Sequence, residues 1–544
     1  MARLLQIFGF LSVLFRGAAL TFQSLTVGGL VFLKYMLQPV SGGSSEIRDA
    51  SLRWIRCFAV ALAFTQLAFL LANSAILMQS AEITFADILG ANFLLAGFLG
   101  IAASSTIVIF SKPGRDLGHL FLLFPPLAIV FSSVLTSHSV ARLDYRMPLF
   151  VLTALHQLAT AAWLGGLPYL LIAIRYSPSD DFTCQLSRRF SRLALFSVGI
   201  LAIAGTLLSF AYVGSVNAIY GSSYGAMVAT KVLLLGLLLL LGAMNFQIVR
   251  NGQAGNIRDS LKRFGEAEIG IGITVILVAS SLTSLPPAID LTQDRVSGTE
   301  IYARMTPRIP RLSSPSTKDL PEDAYAAQKA AFETGSLSTE SFVPGQAGTR
   351  PNTPAEKAWS EYNHHWAGII VLSVGLLALL AQACKVAWAR SWPLLFLGLA
   401  VFLFLRSDPE VWPLGPNGFW VTFADPEVLL HRIFVLLVVA LAIFEWRVQT
   451  GRIASANVRL AFPVLVAVSG ALLLTHSHSL GNIKEEVLAE LSHIPLAVLA
   501  VMAGWSRWLE LRLPEENRSR LWAGRLWPVC ILLIGAVLLN YREM

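Results

Sequence analysis

Long apolar runs recur along the whole chain, near 7–33, 57–78, 88–110, 118–137, 149–174, 193–213, 227–248 and 267–288. Six more follow near 366–388, 392–405, 428–446, 460–476, 491–509 and 526–540, the second and fourth of them short. About 20 apolar residues in a helix span the roughly 30 Å hydrocarbon layer of a bilayer. The sequence therefore predicts an all-α polytopic membrane helix bundle with about 14 transmembrane helices in two modules. Composition agrees, because a chain with 55% hydrophobic and 14% charged residues has more apolar surface than water tolerates.

The runs divide into an N-terminal eight-helix module over 1–288 and a C-terminal six-helix module over 364–544. Between them, 289–363 is rich in Pro, Ser, Thr and mixed charge, and is expected to be an extramembrane linker with little order. At the N-terminus Arg16 interrupts the apolar run and no small-residue cleavage site follows, so the run reads as a retained first helix.

Orientation follows from the cations. Assigning loops alternately to the two sides puts 24 Lys and Arg residues on one side. The short loops opposite hold 7, namely Arg3, Arg142, Arg146, Arg406, Arg432, Lys484 and Arg542. Lys and Arg are retained in the cytoplasm, so both termini and the linker are expected outside, in the periplasm if the membrane is a bacterial inner membrane. The net charge of +8 is spread over these clusters and forms no single basic face, which points to anionic lipid and away from nucleic acid.

With sides assigned, His138, His156, His364, His365, His431, His476, His478 and His493 all fall at or near outer helix ends, and only His119 falls inside. Met78, Met147 and Met227 map to the outer side as well. Imidazole suits copper, zinc or haem iron, and thioether favours Cu(I), so these eleven residues are the candidate metal ligands. Cys57, Cys184, Cys384 and Cys530 lie toward the inner side, with no CxxC or CxxCH. That segregation fits a path from outer imidazoles to inner thiols, and equally fits avoidance of stray disulfides outside.

Depth sharpens the reading for two histidines. His156 lies about 10 Å into the apolar layer, where an ionisable group must face the bundle interior and a partner. Trp163, seven residues on, is expected on the same face, and Gly165 and Gly166 permit close helix approach. His493 is placed similarly, whereas His476 and His478, two apart, share one ion only where their helix ends. Lys231 reads as a snorkelling cation and Glu268 as a partner for Lys262 or Arg263, with a gating or proton-relay role as the alternative. Finally, Leu135-Thr-Ser-His138-Ser followed by His156 is echoed by Leu474-Thr-His476-Ser-His478-Ser followed by His493, which suggests two related modules.

Several of these stretches resemble one family. His156-Gln-Leu-Ala-Thr-Ala-Ala-Trp163-Leu-Gly165-Gly166, Arg189-Phe-Ser-Arg-Leu-Ala194, Gly205-Thr206, Tyr224-Gly225, Lys231, Asn245, Glu268 and Pro286-Pro287 follow in the order of the copper resistance D (CopD) membrane domain, over about 145–290. Trp359 to Trp366, Asp408 to Pro413, His431-Arg432, Glu445-Trp-Arg447 and Thr475 to His478 resemble the C-terminal extension of longer members. The resemblance implies a bacterial inner-membrane protein of copper uptake or resistance, working beside a periplasmic CopC-type carrier. The 289–363 segment shows no CopC domain, so that carrier is expected as a separate protein.

The leading expectation is copper transport from periplasm toward cytoplasm. A second class is a b-type haem redox protein, with His138 and His156, or His478 and His493, as axial pairs. A third is a copper chaperone or assembly factor. No Gly-x-Ser-x-Gly, HExxH or P-loop is present, so no enzyme chemistry is expected and transport is not driven by ATP through this chain.

Overall fold

In the computed structural model the described residues are all except 1, 39–44, 81–82, 115–117, 252–256, 294, 317–352, 385, 410, 423–425, 476–483 and 544. Among them the chain is all-helical, without strands. The principal helices of the N-terminal half are α1 (Ala2–Val31), α2 (Ser45–Ser80), α3 (Asn92–Phe110), α4 (His119–Leu135), α5 (Arg146–Thr160), α6 (Leu167–Arg175), α7 (Asp180–Tyr212), α8 (Ser223–Asn251) and α9 (Ile257–Ser284). Those of the C-terminal half are α10 (Gly298–Met305), α11 (Pro354–Ala383), α12 (Leu395–Arg406), α13 (Pro426–Gln449), α14 (Ala461–Leu473), α15 (Lys484–Arg512) and α16 (Arg518–Leu539).

Among the described residues each predicted apolar run lies mainly on helix. Eleven helical segments there, against the 14 expected, are long and apolar enough to cross a membrane, and Leu120–Leu135 and Val458–Leu473 are shorter apolar helices. The remaining predicted run, 428–446, coincides with α13. Backbone hydrogen bonds satisfied within each helix are what lipid demands, since nothing in hydrocarbon replaces them.

Two compact units are present, Phe8–Gln293 with Thr475–Ser477, and Met1–Ile7 with Asp294–Leu474 and His478–Met544. In the first, α1 crosses a π-helical turn at Ala161–Gly165 that joins α5 to α6. A Cβ on Gly165 would stand 1.8 Å from the Ser24 carbonyl oxygen, so only glycine permits this crossing, as Gly165 and Gly166 suggested. Tyr169 ties the same crossing, its hydroxyl donating to the Leu25 carbonyl at 2.9 Å. Arg16, the residue that breaks the first apolar run, is accounted for here: its guanidinium donates to Thr136 Oγ1 and to the carbonyls of Thr136 and Ser133, capping the C-terminal end of α4.

The second unit is built around Trp392, Phe462 and Trp527, with ring centroids 5.5 to 6.3 Å apart, packed by Val374, Ala378, Ala503 and Ile531. The described part of the 289–363 segment has definite structure. Helix α10 carries a capping box, with Glu300 bonded to Ser297, and α11 starts at Pro354 behind a second box of Thr353 and Glu356. Val296 packs on Val487 and Leu488, and Arg304 Nε donates to Ser492 Oγ at 2.9 Å.

Candidate functional site: three polar layers in the N-terminal unit

A hydrophobic helix that carries a few polar residues turns them away from lipid, and repetition every seven residues keeps them on one face. Helix α8 places Tyr224, Lys231, Leu238 and Asn245 at this spacing, α9 places Glu268, Val275 and Leu282, and α7 places Gly205 and Tyr212. His156 and Trp163 stand seven apart across α5 and its π turn. These sets meet in layers.

The first layer is formed by His138, Tyr212 and Tyr224. The rings of His138 and the two tyrosines lie 6.1 to 6.4 Å apart, mutually tilted, and His138 Nε2 donates to the Leu282 carbonyl at 3.0 Å. Arg142 stands over the Tyr212 ring and bonds Asp290 at 2.8 Å. Burial pushes the His138 imidazole below its ordinary value, against the bond to Leu282, so the ring is neutral with Nδ1 as its lone-pair nitrogen.

The second layer holds His156. Lys231 Nζ lies 3.3 Å from its Nε2, while its Nδ1 is buried without a hydrogen-bond partner. Gly205 faces the ring, and a Cβ there would make ordinary contact with Cε1 at 3.5 Å. Met227, only 1% exposed, precedes Lys231 by one turn on the same face. The expectation of His156 facing the interior and a partner is met; that of Lys231 as a snorkelling cation is corrected, because its ammonium turns inward to an imidazole.

Below it, Leu238 is fully buried, and two turns beyond Lys231 it separates the second layer from the third. There Glu268, 3% exposed, accepts from Trp163 Nε1–H at 3.0 Å on one oxygen and from Asn245 Nδ2–H at 3.0 Å on the other. The expected pairing of Glu268 with Lys262 or Arg263 is corrected: Arg263 bonds Glu266 at 2.8 Å instead. Residues five and six positions away project about 140° and 240° from Glu268 around the helix, so neither shares its face.

The remaining sequence candidates do not join these layers. Met78 packs against Leu70, Ile88 and Leu94, and Met147 is 70% exposed. In the second unit His364 Nδ1 donates to the Ser360 carbonyl at 2.8 Å and its ring stacks on Tyr541 at 3.7 Å, while His493 stands 6.0 Å from the same tyrosine. His365 uses both nitrogens on backbone, Nδ1 accepting from Arg311 N–H at 2.7 Å and Nε2 donating to Tyr541 O at 2.9 Å. His431 bonds Asp408 at 2.6 Å. His476 and His478 lie outside the described residues. All four cysteines are free thiols, and among the described residues no three His, Cys, Asp or Glu side chains converge on one point.

Residues 184–282 match the family model CopD, copper resistance protein D. In this segment the chain is similar to the CopD family. Over 135 residues it is also 32% identical to the copper transport protein CutJ of Bacillus subtilis (strain 168), a match that spans 24% of this chain and 24% of that protein. No solved structure matches. The CopD segment supplies Gly205, Tyr212, Tyr224, Met227, Lys231, Asn245, Glu268 and Leu282 to the layers, whereas His138, His156 and Trp163 precede it. Asn245 and the three tyrosine and glycine positions were missed as partners at the sequence level, although their seven-residue spacing is the signal that finds them.

Proposed function

We propose that this chain moves copper across a bacterial inner membrane, from the periplasmic side toward the cytoplasm, in copper homeostasis or resistance. The observation that carries the reading is the His156 site. A neutral imidazole has a single lone pair, and here an ammonium carried by α8 holds it. Cu(I), a soft monovalent cation, competes for that lone pair and finds the Met227 thioether one turn away. The names of the matching family model and of the CutJ relative supply the metal.

In this reading His138 receives the ion first, His156 and Met227 hold it within the bilayer, and the thiols on the inner side accept it. His364 and His493, both beside Tyr541, serve as a further acceptor in the second unit, with His431 as an accessory donor there. A separate periplasmic CopC-type carrier delivers the metal, and both termini face it.

Copper uptake into membrane vesicles, followed with a lumenal chelating dye, tests the proposal. His156→Ala is expected to cut the initial rate by about tenfold or more, at least the loss typical of removing an outer-shell partner of a metal ligand. Uptake at the unaltered rate would overturn it.

A further inference from the structure

Glu268 is buried in the membrane-spanning part of the N-terminal unit, and both donors that reach it, Trp163 and Asn245, are neutral. The charged and titratable groups on the surrounding elements are committed elsewhere. On α9 itself Arg263 bonds Glu266, Arg258 bonds Asp180, and Lys262 stands on another face. On α8 Lys231 is at His156, roughly 21 Å along the axis from Asn245, and Arg250 is exposed. On α6 the Tyr169 hydroxyl is given to the Leu25 carbonyl and Arg175 is exposed, while on α1 the Arg16 guanidinium caps α4. An ionised carboxylate in such surroundings is costly, and a proton is the simplest cation that relieves it.

Asn245 makes that exchange possible in place. Its Oδ1 is buried without a hydrogen-bond partner. When Glu268 is ionised, Asn245 Nδ2–H donates to Oε2. When a proton adds and an Oε2–H bond forms, a half-turn of the carboxamide presents Oδ1 as acceptor, while Trp163 keeps its bond to Oε1. One pair of side chains thus serves both charge states, and the proton comes from and returns to water with no redox change.

The second unit contains an internal contrast. Glu510 is gripped by the same two kinds of donor, Trp527 Nε1–H at 2.7 Å and Gln382 Nε2–H at 2.7 Å, but it also bonds Arg507 at 2.5 Å. A buried guanidinium therefore stands beside the Glu510 carboxylate as a compensating charge, which Glu268 lacks.

We infer that Glu268, held between Trp163 and Asn245, is a proton-binding site whose occupation alternates as metal passes through the unit. The first half of this statement is independent of the copper reading, and the second half rests on it.

Two measurements on the full-length protein separate them. Infrared difference spectra recorded across a pH titration are expected to show the C=O band of a protonated carboxyl group that disappears in Glu268→Gln, shifts in Trp163→Phe and persists in Glu510→Gln. A band that survives Glu268→Gln, or that Trp163→Phe leaves unshifted, overturns the site whether or not copper moves. In proteoliposomes given Cu(I) under reductant, with a pH dye and a copper dye inside, copper delivery is expected to change lumenal pH in the native protein and in Glu510→Gln. In Glu268→Gln the pH change per copper ion is expected to be lost. Copper delivery with no pH change in the native protein overturns the coupling while leaving copper transport standing. Failure of the native protein to deliver copper defeats the transport reading, and the alternation with it, but leaves the infrared result to decide the site.

Discussion

Lys231 and His156 meet at one atom: the ammonium nitrogen lies 3.3 Å from Nε2, the lone-pair nitrogen of the imidazole. A ligand and its competitor are therefore built into adjacent helices. Replacing Lys231 with Leu removes the competitor and its charge without adding a ligand atom. Copper affinity, measured by competition with a chromogenic Cu(I) chelator, is expected to rise by about tenfold, which corresponds to about 1.4 kcal/mol. An unchanged or weaker affinity would show that Lys231 and copper do not contend for His156.

Gly205 sets the space over the same ring. A methyl group there makes ordinary contact with Cε1 at 3.5 Å, so Gly205→Ala should leave uptake near the native rate. Gly205→Leu places branched carbon atoms where the ring or its ligand must be, and uptake should be lost while gel-filtration behaviour is retained. If Gly205→Leu transports normally, the second layer is not on the path.

Leu238 fills the interval between the His156 and Glu268 layers. Truncation to Ala leaves a cavity and should destabilise the unit by about 2–5 kcal/mol, the range for large-to-small changes in packed cores. It should also raise passive copper leak across vesicles several-fold, because an apolar barrier is thinned. Loss of thermal stability without added leak would assign Leu238 to packing alone.

Outside the membrane-spanning helices, Glu300 supplies a pH dependence with a definite sign. Its carboxylate bonds Lys484 at 2.6 Å and caps α10 at Ser297, and the Lys484 bond first and the Ser297 bonds second hold it down to about 2. A carboxylate lowered by folding stabilises above its unfolded value, near 4.5, and loses that contribution as pH falls toward 2. Hydrogen-exchange protection of Gly298–Met305, corrected for the intrinsic rate, should be flat above about 4.5 and decline below it. Glu300→Gln should show no such decline; an identical profile in the variant would sink the assignment.

Haem and copper are told apart by colour. Purified protein loaded with Cu(I) should show no Soret band and should carry copper in metal analysis. A Soret band lost on changing His138 or His156 would replace the copper reading with a b-type haem protein.

The helices were legible because a bilayer leaves little freedom: each crossing needs its run of apolar residues, and among the described residues those runs are mainly helical. The inward turn of His156 was legible for the same reason. What could not be read was which helices meet. Glu268 finds Trp163 at a separation of 105 residues and Asn245 at 23, and no local spacing encodes either pairing. Local reasoning offered Lys262 and Arg263, but rotation around α9 carries them off the face that packing buries. His364 and His365 show the converse, since adjacent residues with one residue type have different engagements, one stacked on Tyr541 and the other bonded at both nitrogens. The family match ends at residue 282, so the second unit gains nothing from it.

The wide turn at Ala161–Gly165 sets where Trp163, inside it, points. A π turn accommodates one surplus residue, and removing one, such as Ala162, would let the backbone close into a regular coil. Because the π turn spends one extra residue on about the same rotation, α6 and the Tyr169 phenol would keep their phase with His156. The indole, inside the turn, would be drawn round the axis and off the carboxyl group, with no ligand atom altered. Register, set by a single inserted amino acid, is thus as much a part of this unit's chemistry as the side chains it aligns.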